Sequence, residues 1–463
     1  MANFTEKVRP LSFEGEGRIN IKEKEITYTW IARDLVVKAA DGAEAFAFFS
    51  FAYLRNDISA EERKKRPLVF AFNGGPTSCS TWMHLGFWGP RILVPGADGL
   101  PDQIHPGSLR DNPDSLLDLM DIVLVDPVNT GFSRLQDAAY AAQCYGDHED
   151  ADSVARFIRS WLTEYRREDS PVWLSGESFG STRASLLSWY LKDSVDLRGI
   201  LHIGPGYSNS QATLRTYKDF LPVAALKWYF EEEPKQPLEE RMADARSFLY
   251  REYVPAYHMG SMLAEKERKT IAEKLSDFTG LPSSYYLEHA LTINRNDFRI
   301  MLLADRGRKL GSYDGRFTLP LTQEGDAFMA AFEPGMKAGM QNYLQELGIE
   351  TGRTYRGASY EDDPEWDWNY NASPDMIGLY AFKMPMDQAV SIAMEEHPAM
   401  RLFFATGLYD TVATVENTRY SISHTDVPIE RVTLKEYRSG HAVYADDTAR
   451  HQLAEDIRAF LLQ

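Results

Sequence analysis

The sequence predicts an α/β protein: a central, mostly parallel β-sheet flanked by helices and interrupted by an inserted helical cap. Three observations carry this. Short, uniformly apolar runs bounded by glycines and loops (PLVFAF, DIVLVD, PVWLSG, LRGILHIG) alternate with helical patterns up to about residue 210. From about 211 to 370 the segments turn charged and helically periodic, and afterwards the apolar runs resume with RLFFATG and RVTLKEYRSGH. Runs of that kind are too short for helices and too apolar for half-exposed strands, so they read as parallel strands buried on both faces. Their alternation with helices favours a doubly covered sheet.

Taken in order, the opening to about residue 20 is polar and mixed and reads as an arm. From Ile26 to Leu54, the runs ITYTWIA, LVVKAA and EAFAFFSFAYL are broken by Asp41-Gly42, as expected of antiparallel strands at a sheet edge. The parallel strands follow. PVAALKWYF, RMADARSFLYREYV and MLAEKERKTIAEKLSDF supply the cap's helices, and the aromatic, acidic stretch RTYRGASYEDDPEWDWNY ends the insertion. TARHQLAEDIRAFLL reads as the terminal helix. The expected organisation is an arm over 1–20, a core over 21–210 and 374–463, and a helical cap over 211–373.

Composition narrows the function classes. The chain has 463 residues, 44% hydrophobic and 25% charged, as in an ordinary globular protein. A length prior of about 150 residues per domain would give three domains, but one α/β domain with an insertion fits as well. The net charge of −18 opposes binding to a phosphate backbone, which relies on clustered Lys and Arg, and so argues against nucleic acid as a partner. No run approaches the roughly 18 to 20 apolar residues of a membrane span. MANFTEKVRP lacks the apolar segment of a secretory signal, so a cytoplasmic location is expected as the chain is written, and export if a leader has been removed. Cys79 and Cys144 are far apart in sequence and are expected as buried free thiols. Asp147-His148-Glu149-Asp150 offers ligand-type side chains, yet it leads into a helical pattern and reads as a capping, solvated segment, not a metal site. The sequence is compatible with a homodimer.

The chemistry centres on WLSGESFGS, residues 173–181. Strand-like residues precede Ser178, a helical pattern follows it, and Gly176 and Gly180 flank it, as a nucleophile at a tight strand-to-helix turn requires. The pattern G-x-S-x-G alone turns up by chance in roughly one chain in ten of this length, so other residues must decide. A serine hydroxyl needs a base, and the base needs an orienting group. Asp410 follows RLFFATG and His441 follows RVTLKEYRSG, placing all three residues beyond strand ends in the order serine, acid, histidine of an α/β-hydrolase. The plainer readings are a turn or helix cap for Asp410 and a structural histidine for His441. Acyl transfer also needs oxyanion donors. In NGGP the Gly75 N–H can pair with that of Phe179, whereas Pro76 has none to offer; a simple turn is the alternative. NGGP lacks the Lys-Ser/Thr of a phosphate loop and GESFGS the spacing of a dinucleotide fold, so no cofactor is expected.

In order, NGGPTSCS, NPDSLLDLMDIVLVDPVNTGFSR, GESFGSTRA, LFFATGLYDTVA and SGHAVY resemble the signature segments of the serine carboxypeptidases, peptidase family S10, a branch of the α/β-hydrolase fold. The resemblance covers about 25–210 and 375 onward, and KLGSYDGRFT in the cap looks more like the bacterial branch. It implies a triad of Ser178, Asp410 and His441, oxyanion amides at Gly75 and Phe179, and a role for Asn73 and Glu177 in binding the terminal carboxylate of a peptide substrate with a free C-terminus. Two carboxylates sit together comfortably only if they share a proton, so peptide hydrolysis is expected to be favoured in acid.

The chain also departs from the pattern. Phe87 stands where better-known members carry a second acid, Ala71 where they carry tryptophan, and Thr77 where they carry glycine, with the cysteine displaced to Cys79. These changes spare the triad and weaken the expected carboxylate clamp. The leading expectation is a carboxypeptidase working through an acyl-enzyme. An esterase or acyltransferase on the same framework is the alternative, and a non-catalytic binding protein the reading from another class.

Overall fold

The computed structural model describes residues 5–39, 41–95, 105–206, 218–357, 366–368 and 386–463. The strands are β1 (Ser12–Ile21), β2 (Lys24–Lys38), β3 (Glu44–Arg55), β4 (Leu68–Phe72), β5 (Arg91–Leu93), β6 (Leu109–Asp111), β7 (Asp121–Val125), β8 (Arg134–Leu135), β9 (Val172–Ser178), β10 (Leu197–Pro205), β11 (Arg308–Leu310), β12 (Thr318–Pro320), β13 (Arg401–Gly407) and β14 (Val432–Tyr437). The main sheet runs β1-β2-β3-β7-β4-β9-β10-β13-β14, with β8 beside β3, while β5 with β6 and β11 with β12 form separate hairpins. β1, β2 and β3 pair antiparallel, β3 meets β7 antiparallel, and every junction from β7 to β14 is parallel. The parallel strands are the apolar runs of the sequence, and β4 and β7 are buried along their whole length.

Successive strand residues point to opposite faces, and each face has its own helices. Phe70 and Phe72 of β4 join a cluster with α1 (Asp147–Glu164), α2 (Phe179–Leu191) and α4 (Met386–Glu396), while Val69 and Ala71 join one with α3 (Ala327–Glu346) and α5 (Asp447–Leu461). The helices early in the insertion, Phe220–Tyr229, Leu238–Phe248 and Glu265–Thr279, build a third cluster that takes in Leu408, Tyr409 and Val415 from the segment after β13. The insertion is therefore not uniform: α3, near its end, packs into the core beneath the sheet.

One sequence expectation changes. The arm expected over residues 1–20 is, from Ser12 onward, a ten-residue edge strand paired with β2 throughout. Its polar look follows from its position, because alternate residues of an edge strand face solvent while Ile19 and Ile21 are buried. Cys79 and Cys144 are both buried and are not joined by a disulfide. Among the described residues no helix is long and apolar enough to cross a membrane.

Candidate active site

Ser178 ends β9 and caps α2, with φ 55° and ψ −126°. A side chain at positive φ is strained, and the surroundings hold it there. A Cβ on Gly176 would lie 2.0 Å from the Gly180 carbonyl oxygen, and one on Gly180 would lie 2.6 Å from that of Phe72. Only glycines let β9, α2 and β4 converge so closely, which is why the turn can lift Ser178 clear of the sheet into a cavity of about 860 Å³.

His441 lies on the same cavity wall, four residues beyond β14, and its Nδ1–H donates to Asp410 Oδ2 at 2.7 Å. Asp410, three residues beyond β13, is completely buried, and its Oδ1 accepts from the N–H groups of Val412 at 2.7 Å and Ala413 at 3.0 Å. The turn expected at Asp410 thus exists, and it fixes the carboxylate that holds the imidazole. Burial opposes protonation of His441, but the charge and hydrogen bond of Asp410, with Glu177 beyond, outweigh it and leave the imidazole above its ordinary value. Its Nε2 is buried and, among the described residues, has no hydrogen-bond partner.

The β11–β12 hairpin, which sequence reasoning left without a role, braces both loops. His441 N–H donates to the Tyr313 carbonyl at 2.7 Å, and Thr411 donates twice to the Ser312 carbonyl, at 3.1 Å from its N–H and 2.8 Å from its hydroxyl. Arg316 pairs with buried Asp314 at 2.7 Å and lies over the Tyr409 ring. KLGSYDGRFT carries the signal only in hindsight: an Asp and an Arg two apart in a glycine-rich turn.

Gly75 lines the cavity beside Ser178, and Phe179 opens α2, where the first amides lack an acceptor one turn back. A Cβ on Gly74 would lie 2.5 Å from the Phe179 nitrogen, so the glycine loop passes directly over the end of the elbow. Asn73 and Glu177 are also together: the Asn73 amide donates to Glu177 Oε2, and Tyr444 O–H donates to the same oxygen at 2.6 Å. Burial pushes Glu177 up to about 7, partly offset by His441 and by the hydrogen bonds from Tyr444 and Asn73. Tyr444 was not foreseen; it stands three residues past His441 in SGHAVY, where a tyrosine reads equally well as core.

The remaining wall is largely apolar. Trp82 stacks on Phe328, and Met336 and Met340 of α3 face the same space. Asp147-His148-Glu149-Asp150 is not a solvated segment: Asp147, His148 and Asp150 are buried. Asp147 accepts from Trp366 Nε1 at 2.8 Å, and Asp150 pairs with Arg183 at 2.6 Å. Among the described residues no group of three or more His, Cys, Asp or Glu is placed to hold a metal ion.

The chain is similar to known proteins to different degrees. The family model for serine carboxypeptidases matches residues 37–439. The prohormone-processing carboxypeptidase Kex1Δp of Saccharomyces cerevisiae is similar over 93% of this chain and 92% of its own, with TM-score 0.56 and 14% identity, a likeness of fold. A proline iminopeptidase of Mycobacterium smegmatis overlays with TM-score 0.38 and 12% identity, over 93% of this chain and 99% of its own. No curated protein sequence matches the chain.

Proposed function

The chain belongs to the serine carboxypeptidase family, and from that premise we propose that Ser178 attacks the last peptide bond of a peptide with a free C-terminus. The enzyme is a serine carboxypeptidase-type hydrolase; the residue roles and the terminal-carboxylate clamp are the proposal. His441 takes the proton of Ser178 as the hydroxyl adds to the carbonyl, and then delivers it to the departing amine. Asp410 holds the imidazole and stabilises its charge. The N–H groups of Gly75 and Phe179 receive the oxyanion. Water, activated by the same histidine, releases the acyl group from Ser178 and restores the hydroxyl.

The observation that carries the reading is that Ser178, His441, Asn73 and Glu177 all line one cavity. A peptide's terminal carboxylate can then meet Glu177 while its last carbonyl meets Ser178. Protonated Glu177 can donate to that carboxylate, whereas ionised Glu177 repels it. The insertion over 211–373 serves as a cap on this reading, and α3 gives the pocket its preference for apolar side chains.

N-blocked dipeptides with free C-termini, tested against matched amides and esters from pH 4 to 8 with Ser178→Ala as blank, decide the matter. Release of free C-terminal amino acids, strongest in acid and absent from the blank, is the expected result. Ester cleavage without peptide trimming would instead favour the esterase or acyltransferase alternative, for which the phenylalanine at 87 in place of a second acid is the motive.

A further inference from the structure

The two oxygens of Glu177 are used unequally. Tyr444 O–H, at 2.6 Å, and the Asn73 amide both donate to Oε2. Among the described residues no donor reaches Oε1, and Glu177 lines the cavity. An oxygen that already accepts two hydrogen bonds is a poor place for the acid proton, because the proton would face two donors. The proton of the neutral carboxyl therefore sits on Oε1, the oxygen left for the substrate.

Tyr444 is held in part by Phe87, a residue that departs from the family pattern. Its ring stacks on Phe87, centroids 6.3 Å apart and planes 21° apart. A Cβ at Gly86 would lie 2.3 Å from the same ring, so the slot exists only because residue 86 has no side chain. Tyr444 is fully buried and its phenol is held well above its ordinary value, so it is a donor throughout the working range. Where an acid at position 87 would add a second titrating carboxyl, this chain has a phenylalanine supporting a non-titrating hydroxyl.

We infer that Tyr444 is a positioning residue that sets specificity for a terminal carboxylate: by occupying Glu177 Oε2 it directs the single shared proton from Oε1 toward the substrate. The inference rests on the clamp reading above. It makes the clamp a one-acid device, which titrates in one step where an acid pair would titrate in two.

The test compares Tyr444→Phe and Glu177→Gln on an N-blocked dipeptide, its amide and its ester. For Tyr444→Phe, KM for the free acid should rise about tenfold while kcat/KM for the amide and ester stays within about twofold, since the lost group touches only the carboxylate's partner. The alkaline fall in kcat/KM for the free acid should also move to higher pH, because removing a donor from the carboxylate favours its protonated form. Equal losses on acid, amide and ester would make Tyr444 a purely structural residue and overturn the inference. So would unchanged KM and unchanged pH dependence alongside a Glu177→Gln variant that still discriminates. If Glu177→Gln affects acid and amide alike, the clamp reading itself falls. Should Tyr444→Phe not fold, Phe87→Leu loosens the ring while keeping the hydroxyl, and must shift discrimination in the same direction.

Discussion

Arg183 of α2 and Asp150 of α1 form a buried ion pair, Nε to Oδ2 2.6 Å, and the same guanidinium donates to the carbonyl oxygens of Asn73 at 2.6 Å and Pro76 at 2.9 Å. One side chain thus ties the helix behind the nucleophile to the loop that carries the oxyanion donor. A planar guanidinium suits this task because its fixed fork can serve a carboxylate on one side and carbonyls on the other.

Removing only the cation should be costly. Arg183→Met leaves Asp150 buried without its partner, and a loss of about 3–5 kcal/mol is expected in chemical denaturation. The double variant Arg183→Met/Asp150→Leu should recover most of that stability, since an apolar pair can replace a buried ion pair. Ester turnover should stay low in both, because neither restores the anchor on Asn73 and Pro76. A double variant with full activity would mean the loop holds its place without Arg183.

Ser178→Ala and His441→Ala should each lower turnover by about three or more orders of magnitude with an unchanged melting midpoint, because either loss disables the covalent path while the oxyanion donors remain. Because the two act as a unit, the double variant should lose little more than either single one. Near-wild-type turnover in either purified variant would remove the triad assignment.

Much of this is legible in the sequence. The strands of the parallel sheet announce themselves because burial on both faces leaves few polar positions, and β4, β7, β9, β10 and β13 fall on the quoted runs. Ser178 and Asp410 stand out because they end or follow such strands, whereas His441 follows the partly exposed edge strand β14. What stayed hidden depends on contacts between residues remote in sequence. β1 hides because it is polar on alternate positions. Arg183 and Asp150 are 33 residues apart, and nothing local marks them as partners. Tyr444 and Glu177, 267 residues apart, are joined only by the way β9 and the segment after β14 end at one edge. The hairpin tip at Ser312–Arg316 looks like a turn because, by its own hydrogen bonds, it is one.

That tip yields a prediction of its own. Arg316→Met removes the partner of Asp314 and the link to the Arg438 carbonyl, at 3.1 Å, so the loops bearing Asp410 and His441 lose a common brace. Ester kcat should fall about tenfold with KM little changed, since sub-ångström misplacement acts on chemistry before binding. Arg316→Lys, which keeps the charge but not the fork, should fall between the two. A loss confined to KM would place Arg316 in substrate binding instead.

Stability should decline between about pH 6.5 and pH 8, opposite to the usual behaviour of paired carboxylates. Burial raises Asp126 to about 6 and both Asp147 and Glu177 to about 7. In the unfolded chain these groups titrate near 4, so between the two values the folded state binds more protons than the unfolded one. Their contribution is complete below the unfolded values and is lost as pH rises through the folded ones. His441, also raised, acts in the same direction. His84 and His202, pushed down to about 3 by burial, act the other way below about pH 6.5, so the melting midpoint should fall between about pH 6.5 and pH 8. Asp147→Asn tests the cause directly, because an amide can keep the acceptor for Trp366 Nε1 without ever ionising. It should gain about 1–3 kcal/mol more at pH 8 than at pH 5, flattening the profile. A variant equally stabilised or destabilised at both values would show that Asp147 does not change protonation on folding, and the decline would have to come from Glu177, Asp126 and His441 alone.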